Sequence, residues 1–536
     1  MFVVAINPTF CYNKVGDFEI VGVCYHPEEV QGMIDFTNIE KYRENNRIEA
    51  KKALGGLPKS LWETYSAFAN ALGGVILLGV EEYRDKSLHV VNLPDPEALV
   101  REFWDIVNNP MKVSVNILAD KHVRIQEQDG KRFIAITVPR AQRFDKPIYI
   151  DGNPLTGTYR RNGEGDYKCT KDEVQAMLRD AAVKTQDMKV LEQMGLEVFD
   201  YDSIQRYRQR MQNHRPAHVW EELNDNEFLY KLGAVGRSED GKMHPTAAGL
   251  LMFGYEYEIV KEFPNYFLDY QEQEEANVRW TDRVVSSSGD WSGNLYDFYF
   301  KVYNRLVQNV KVPFKLEMGE RVDDTPVHGA LREALANCII NADYYGTRGL
   351  VIIKKKDVIT ISNPGGFRID MADAKSGGIS DPRNTTLIKM FNMINIGERA
   401  GSGIPNIYKT WEKLGWKTPV FLEEFAPDRI TLSLDVSADK CQIIDTDSIA
   451  AEVAIKSGDK KVAIKDGDKK TAIKTEAHKD AIVAYLTGNV TAKTSELMEV
   501  LNLKQSRVRK LLSELVEADI VVAEGNNKNR VYKLKA

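Results

Sequence analysis

Apolar positions change period several times along the chain, and each change marks an element. Ile48-Glu49-Ala50-Lys51 alternates, which predicts a strand with Glu49 and Lys51 on one side. Residues 62–72 carry apolar side chains at helical spacing. The unbroken apolar run Gly73-Gly74-Val75-Ile76-Leu77-Leu78-Gly79-Val80 then predicts a buried strand ending at Glu81-Glu82. Helical periods return at 201–211 and 227–232, and the small-residue run 245–254 predicts a helix against a core. Two strands are expected at 349–353 and 358–362. Near the end, helices at 478–486, 494–501 and 505–516 precede strands at 520–523 and 530–534 around the polar loop 525–529.

At 536 residues and 43% hydrophobic content, the chain is too long for one core and is expected to hold three or four domains. Its longest apolar stretch, 73–80, falls well short of a membrane span, so no membrane association is expected. Cys11, Cys24, Cys169, Cys338 and Cys441 are scattered without a C-x-x-C pair, which argues against a disulfide framework or zinc site and for the cytoplasm. Residues 1–32 look unlike the start of a domain, and Met33 is expected as the genuine start. Between 446 and 475 the segment Val453 to Lys461 is nearly repeated from Val462 to Lys470, a period of nine that fits a charged tether. From 448 onward 17 Lys and Arg face 12 Asp and Glu, a net of +5 in a chain of net −6. Neither Gly55 to Ser60 nor Gly488 to Thr494 meets the spacing of a P-loop, so no P-loop motor is expected.

The candidate chemistry sits in three places. In the middle, a helix through Arg332 to Tyr344 would align Glu333, Asn337 and Asn341 on one face. Asn363-Pro364-Gly365-Gly366 follows as a turn that lets backbone approach a ligand. The loop Gly397-Glu398-Arg399-Ala400-Gly401-Ser402-Gly403 then opens another helix, whose terminal amides suit phosphate. Taken singly these pieces are ordinary structural features; their ordered set points to a nucleotide site.

That set resembles the GHKL ATPases, the class of gyrase and the histidine kinases, in the divergent branch that carries a Schlafen-type AlbA domain. The shared patterns are E-x-x-x-N-x-x-x-H/N-x-D-Y, N-P-G-G and E-x-x-G-x-G-I. The resemblance implies ATP and Mg²⁺ as cofactors. It gives Glu333 the role of orienting or deprotonating water, and Asn337 that of a Mg²⁺ ligand. Asn341, Asp343, Asn363, Gly365, Gly366, Arg383, Gly401, Ser402 and Gly403 are the remaining nucleotide-binding candidates. The wider class has Asp where this chain has Asn363, whose amide oxygen still accepts a hydrogen bond.

Earlier in the chain, Glu44, Glu49-x-Lys51, Ser66-Ala67-Phe68-Ala69-Asn70, Gly73-Gly74 and Gly79-Val80-Glu81 resemble the Schlafen AlbA domain. In nucleolytic members acids at these positions are implicated in RNA cleavage, which makes Glu44, Glu49, Glu81 and Lys51 candidates for a metal-dependent nuclease. The other reading is nucleic-acid binding without cleavage, with Arg140, Arg143, Arg160 and Arg161 meeting phosphates and Tyr159 and Tyr167 stacking on bases. The last helices and hairpin follow the order of a winged helix. There Lys504, Ser506, Arg507, Arg509 and Lys510 would enter a DNA groove, beside a wing bearing Lys528 and Arg530.

The expected fold class is α+β multidomain: a Schlafen AlbA-like α/β domain, a GHKL (Bergerat-type) α/β sandwich and a C-terminal winged helix. The expected boundaries are an N-terminal extension at 1–35, the AlbA-like domain at 36–180, a helical connector at 185–325, the ATP module at 326–445, the tether at 446–475 and the winged helix at 476–536. The expected function is an ATP-binding, DNA-associated regulator switched by nucleotide, forming a homodimer or higher homo-oligomer. The alternative is an ATP-gated nuclease acting on RNA or DNA.

Overall fold

The computed structural model describes residues 11–15, 18–25, 36, 38–239, 241–273, 279–308, 310, 316–317, 320–321, 325–397, 401–425 and 427–437. In the C-terminal part it describes 482, 486, 492, 497, 508, 512, 515, 521–524 and 531–534. The chain forms two compact units, Met1–Gln442 and Ile443–Ala536, and is mixed α/β.

Within the first unit, a four-stranded sheet is built from the order Ile48–Lys51, Gly74–Leu78, Lys131–Val138 and Val123–Gln128. The first pair is parallel and the others antiparallel. The helix Ser60–Asn70 lies against this sheet and buries Leu61, Tyr65, Phe68 and Ala69 in a core shared with Ile76, Leu78, Ile134 and Ile136. Asn70, at the helix end, is fully buried and donates to Ile148 O at 2.7 Å and Tyr159 O at 3.1 Å. Its own carboxamide oxygen accepts from Ile148 N–H at 2.9 Å, so this Asn fastens the helix to the following hairpin.

The second sheet has eight strands in the order Cys11–Val15, Phe18–Tyr25, Val420–Phe425, Asp428–Asp435, Val358–Pro364, Leu350–Lys355, Leu268–Gln273 and Asp282–Val285. Two of its contributors fall outside the segment expected to form the ATP module. The hairpin 11–25 lies in the expected extension and pairs with 420–425, matching Leu422 with Cys24. Strands 268–273 and 282–285 lie in the expected connector, and Leu268–Gln273 runs parallel to Leu350–Lys355. One hydrophobic core accordingly runs from Leu191 to Val436 and includes Phe253, Tyr299, Leu335, Ile361 and Trp411. The helical content of 185–325 is as read, with helices Tyr201–His214, Asp225–Leu232 and Ala247–Phe253. Trp291 packs against the same core, and Trp280 lies beside the guanidinium groups of Arg279 and Arg283.

Two helices carry the candidate nucleotide residues on this sheet. Pro326–Asn341 has Pro at its first position, where the missing N–H costs nothing, and buries Leu331, Leu335 and Ile339. Gly403–Lys413 packs beside it and buries Ile407 and Trp411.

The C-terminal unit has its own small core of Ile482, Leu486, Ala492, Leu497, Val508, Leu512, Leu515, Val521 and Tyr532. Its hairpin pairs Val521–Glu524 with Val531–Leu534, and Ala492 bridges to Tyr532. The tether repeat lies outside the described residues.

Candidate nucleotide cleft and carboxylate cluster

Helices Pro326–Asn341 and Gly403–Lys413, with the sheet beneath them, border an open cleft. Glu333, Asn337, Asn341, Asn363, Gly366, Arg383, Gly401 and Gly403 all line it. The four-residue spacing in the helix works as read. Asn337 Nδ2 donates to Glu333 Oε1 at 3.3 Å, and Asn341 Nδ2 donates to the carbonyl of Asn337 at 3.0 Å. The floor is apolar, with Ile340, Ile361, Ile407, Ile430 and Leu432, so the polar groups sit around an opening rather than filling it. Cys338 also lines it, and burial pushes its thiol up to about 12, which leaves it protonated at neutral pH.

Glycine is required where backbone meets these side chains. A Cβ on Gly403 would run into the Glu333 carboxylate and come within 2.7 Å of the Asn337 amide, so only glycine lets the loop lie over that helix face. Gly365 has φ +96°, and a Cβ there would strike the Arg383 guanidinium. Gly365 and Ser402 adjoin the lining in sequence. Glu398, Arg399 and Ala400 lie outside the described residues.

Arg383-Asn384 acts on the helix end. Arg383 donates to the carbonyl of Asn341, to Gly366 O at 3.0 Å, and in a fork to Asp180 at 2.8 and 2.7 Å. Asn384 Nδ2 donates to Ile340 O at 2.9 Å and Ala342 O at 2.8 Å. Together they satisfy the last carbonyls of the 326–341 helix and tie them to the 363–366 turn. Asp343 is not among the cleft-lining residues: its carboxylate meets Arg179 at 2.9 Å and its N–H donates to Pro364 O at 2.9 Å. Arg368, not singled out from sequence, lines the cleft two residues past Gly366. Burial, opposed by Asp180 and Asp381, lowers its guanidinium to about 10.

For Mg²⁺ the cleft supplies the Glu333 carboxylate and the Asn337 carboxamide, a donor pair that fits an ion whose other ligands are phosphate oxygens and water. No group of three or more His, Cys, Asp or Glu able to hold a metal occurs among the described residues.

The acids of the AlbA-like sheet are arranged differently. Glu49 lies between Lys51 Nζ at 2.9 Å and Arg161 Nη2 at 2.8 Å, with the guanidinium of Arg161 only 1% exposed. Lys51 shares the strand face with Glu49, as the alternation predicts. Glu44 accepts from Ala50 N–H at 3.0 Å. Burial pushes its carboxyl above the ordinary value against that hydrogen bond, and the charges of Glu49 and Glu82 add to the rise. Glu82 is the neighbouring strand acid whose charge acts on Glu44. Glu81, its neighbour in the strand, pairs instead with Lys52 at 3.0 Å. The period-two alternation of a strand held the signal, since it sends Glu81 and Glu82 to opposite sides.

The expected phosphate-binding arginines are engaged elsewhere. Arg140 pairs with Glu423, Arg143 with Asp381, Arg160 with Asp428, and Arg161 with Glu49 and Asp166. Tyr159 is buried and donates its hydroxyl to Glu63 at 3.1 Å, which removes it from base stacking; Tyr167 is exposed. Carboxylates facing each guanidinium explain the difference, because an Arg in a sheet satisfies the nearest acid before it meets solvent. Lys504, Ser506, Arg507, Arg509, Lys510, Lys528 and Arg530 lie outside the described residues.

Comparison with known families agrees with this division. Residues 44–170 match the family described as Schlafen, AlbA_2, and 350–432 match the one described as "Putative ATP-dependent DNA helicase recG C-terminal". The two matches are consistent with a chain that carries an AlbA_2 domain and an ATPase-type domain. Residues 175–269 also match a domain of unknown function, DUF8451. No curated protein matches it. Among solved structures it is similar to the DIP2311 protein from Corynebacterium diphtheriae, at 17% identity over 91% of this chain and 95% of that one, with a TM-score of 0.36. It is also similar to the solution structure titled "N-terminal Domain of Putative ATP-dependent DNA Helicase RecG-related Protein" from Nitrosomonas europaea. That likeness is 31% identical and covers 26% of this chain and 95% of that one, with a TM-score of 0.21. Among the described residues no helix is long and apolar enough to cross a membrane.

Proposed function

We propose that this chain binds ATP with Mg²⁺ in the cleft between helices 326–341 and 403–413 and acts on nucleic acid as a nucleotide-switched transcriptional regulator. The observation that carries the reading is the convergence of Glu333, Asn337, Asn363, Gly366, Gly401 and Gly403 on one open cleft. Glu333 is the group to orient water, Asn337 presents its carboxamide oxygen to the cation, and the amides at 401–403 meet phosphate. Asn363, through its amide oxygen, accepts from the base. The C-terminal core and hairpin support a winged helix that contacts DNA, and the +5 charge of residues 448–536 favours a polyanion. A homodimer is the assembly this switch would use, and the cytoplasm its compartment.

The nuclease reading draws on Glu44, Glu49 and Glu81, with Lys51 beside Glu49 at 2.9 Å. Against it, Glu49 is held by two cations, which satisfies the charge a metal would otherwise meet. One experiment separates the two. The purified chain is incubated with ATP, Mg²⁺ or Mn²⁺ and labelled RNA and DNA, and phosphate release and strand length are followed together. The regulator leaves every strand intact and binds duplex with steep salt dependence. Cleavage that disappears in Glu49→Gln would overturn it in favour of the nuclease.

A further inference from the structure

Arginines of the AlbA_2 segment reach the backbone of the nucleotide cleft. Arg140 donates to the two oxygens of Glu423 at 2.7 and 2.9 Å and to Phe367 O at 2.7 Å. Glu423 is fully buried and accepts from Phe367 N–H at 2.8 Å. A single buried ion pair thus grips Phe367, a residue of the cleft wall, by both its N–H and its carbonyl. Glu423 also abuts the wall at Gly366, where a Cβ would come within 2.7 Å of its Oε1.

A second connection runs through adjacent residues of the strand Tyr159–Asn162, whose side chains leave on opposite sides. Arg160 forks onto Asp428 at 2.5 and 3.0 Å and donates to Phe425 O at 3.1 Å; the Asp428 carbonyl accepts from Gly365 N–H at 2.9 Å. Arg161, on the other side, holds Glu49 at 2.8 Å and Asp166 at 2.9 Å. One dipeptide therefore lies between the glycine turn of the cleft and the carboxylate cluster.

Buried ion pairs yield in steps, because separating the partners leaves an uncompensated charge in a low-dielectric site. The 365–367 turn cannot adjust to a base without loading Arg140–Glu423 and Arg160–Asp428. We propose that the AlbA_2 domain completes the nucleotide site in cis, and that nucleotide binding and the carboxylate cluster are coupled through these two pairs. The proposal rests on the reading of the cleft as a nucleotide site. Coupling is reciprocal: a nucleic acid that engages the Glu49 cluster alters ATP affinity by the factor that ATP alters its own.

The test uses the full chain, ATP and Mg²⁺. R140M/E423Q removes both charges while the Gln oxygen still accepts from Phe367 N–H; D269N/R283M removes an ion pair remote from the cleft. Calorimetry is expected to give at least tenfold weaker ATP binding in R140M/E423Q and wild-type affinity in D269N/R283M. Hydrogen exchange at 44–51 and 159–162 is expected to respond to saturating ATP in the wild type, a response that simple loss of packing would not produce. Wild-type affinity in R140M/E423Q, with binding lost in Asn337→Ala, removes the proposal and leaves the nucleotide reading standing. No binding by the wild type removes both. Should R140M/E423Q unfold, wild-type exchange decides: no change at 44–51 and 159–162 overturns the coupling.

Discussion

The nucleotide cleft and the carboxylate cluster carry similar chemistry and are built in opposite ways. In the cleft, Glu333, Asn337 and Asn363 border open space over an apolar floor. In the cluster, Glu49 is closed by Lys51 at 2.9 Å and Arg161 at 2.8 Å. One region keeps polar groups for a ligand, and the other closes its central acid, Glu49, between two cations. Replacing a side chain should therefore cost affinity in the first and stability in the second.

The largest effect is expected in the cluster. Arg161→Met leaves Glu49 and Asp166 without their buried cation, and should lower unfolding free energy by about 3–5 kcal/mol in urea denaturation. A loss under about 1 kcal/mol, the size typical of an exposed pair, would mean that the cluster is open to solvent and the contrast false. In the cleft, Asn337→Ala should weaken ATP binding by about 10–100-fold, from loss of a group facing charge worth about 1.5–3 kcal/mol, while the melting temperature stays put. Equal losses of stability in both variants would erase the distinction.

Two smaller effects sharpen it through pH. Lys146 is half-buried, and its amine donates to Asn70 O at 3.1 Å. Burial first, then the charges of Arg140 and Arg160, hold its amine well below the usual lysine value, against Glu423 and Asp428. With the folded value depressed, the unfolded chain binds the extra proton, so the group's cost to folding is present at neutral pH and fades as pH rises toward 10.5. Lys146→Met should raise the melting temperature at pH 7 by a few degrees, about 2–4 °C per kcal/mol, with the gain shrinking at pH 9–10 in thermal scans. The smallest change is expected from Glu44→Gln. Because the folded Glu44 value is raised, its ionisation weakens the fold above that value. The variant should gain stability at pH 7 and lose the advantage as pH falls toward 4.5. An advantage that grows on acidification would reverse the sign assigned to the cluster.

Much of the local structure was legible because period and function coincide. The spacing of Glu333, Asn337 and Asn341 reads as one helix face, and the alternation of Ile48 to Lys51 reads as a strand that pairs Glu49 with Lys51. The sheet that supports the cleft was not legible. Strands 18–25 and 268–273 join it from distant segments, and no local pattern records which strand a strand will pair with. The same holds for the arginines: Arg140 and Arg160 look like phosphate ligands in sequence, and their true partners, Glu423 and Asp428, lie more than 260 residues away. Glu81 holds the motif position and pairs with Lys52, while the charge of its strand neighbour Glu82 acts on Glu44, because the pleat sends the two to opposite sides.

The central claim is that the 326–341 and 403–413 helices enclose a nucleotide site. Isothermal titration of the full chain with ATP and Mg²⁺, wild type beside Asn337→Ala, addresses it most directly. Saturable binding of one nucleotide per chain by the wild type, weakened at least tenfold in Asn337→Ala, is the predicted result. A flat titration of the folded wild type, or identical isotherms for the two proteins, would contradict it.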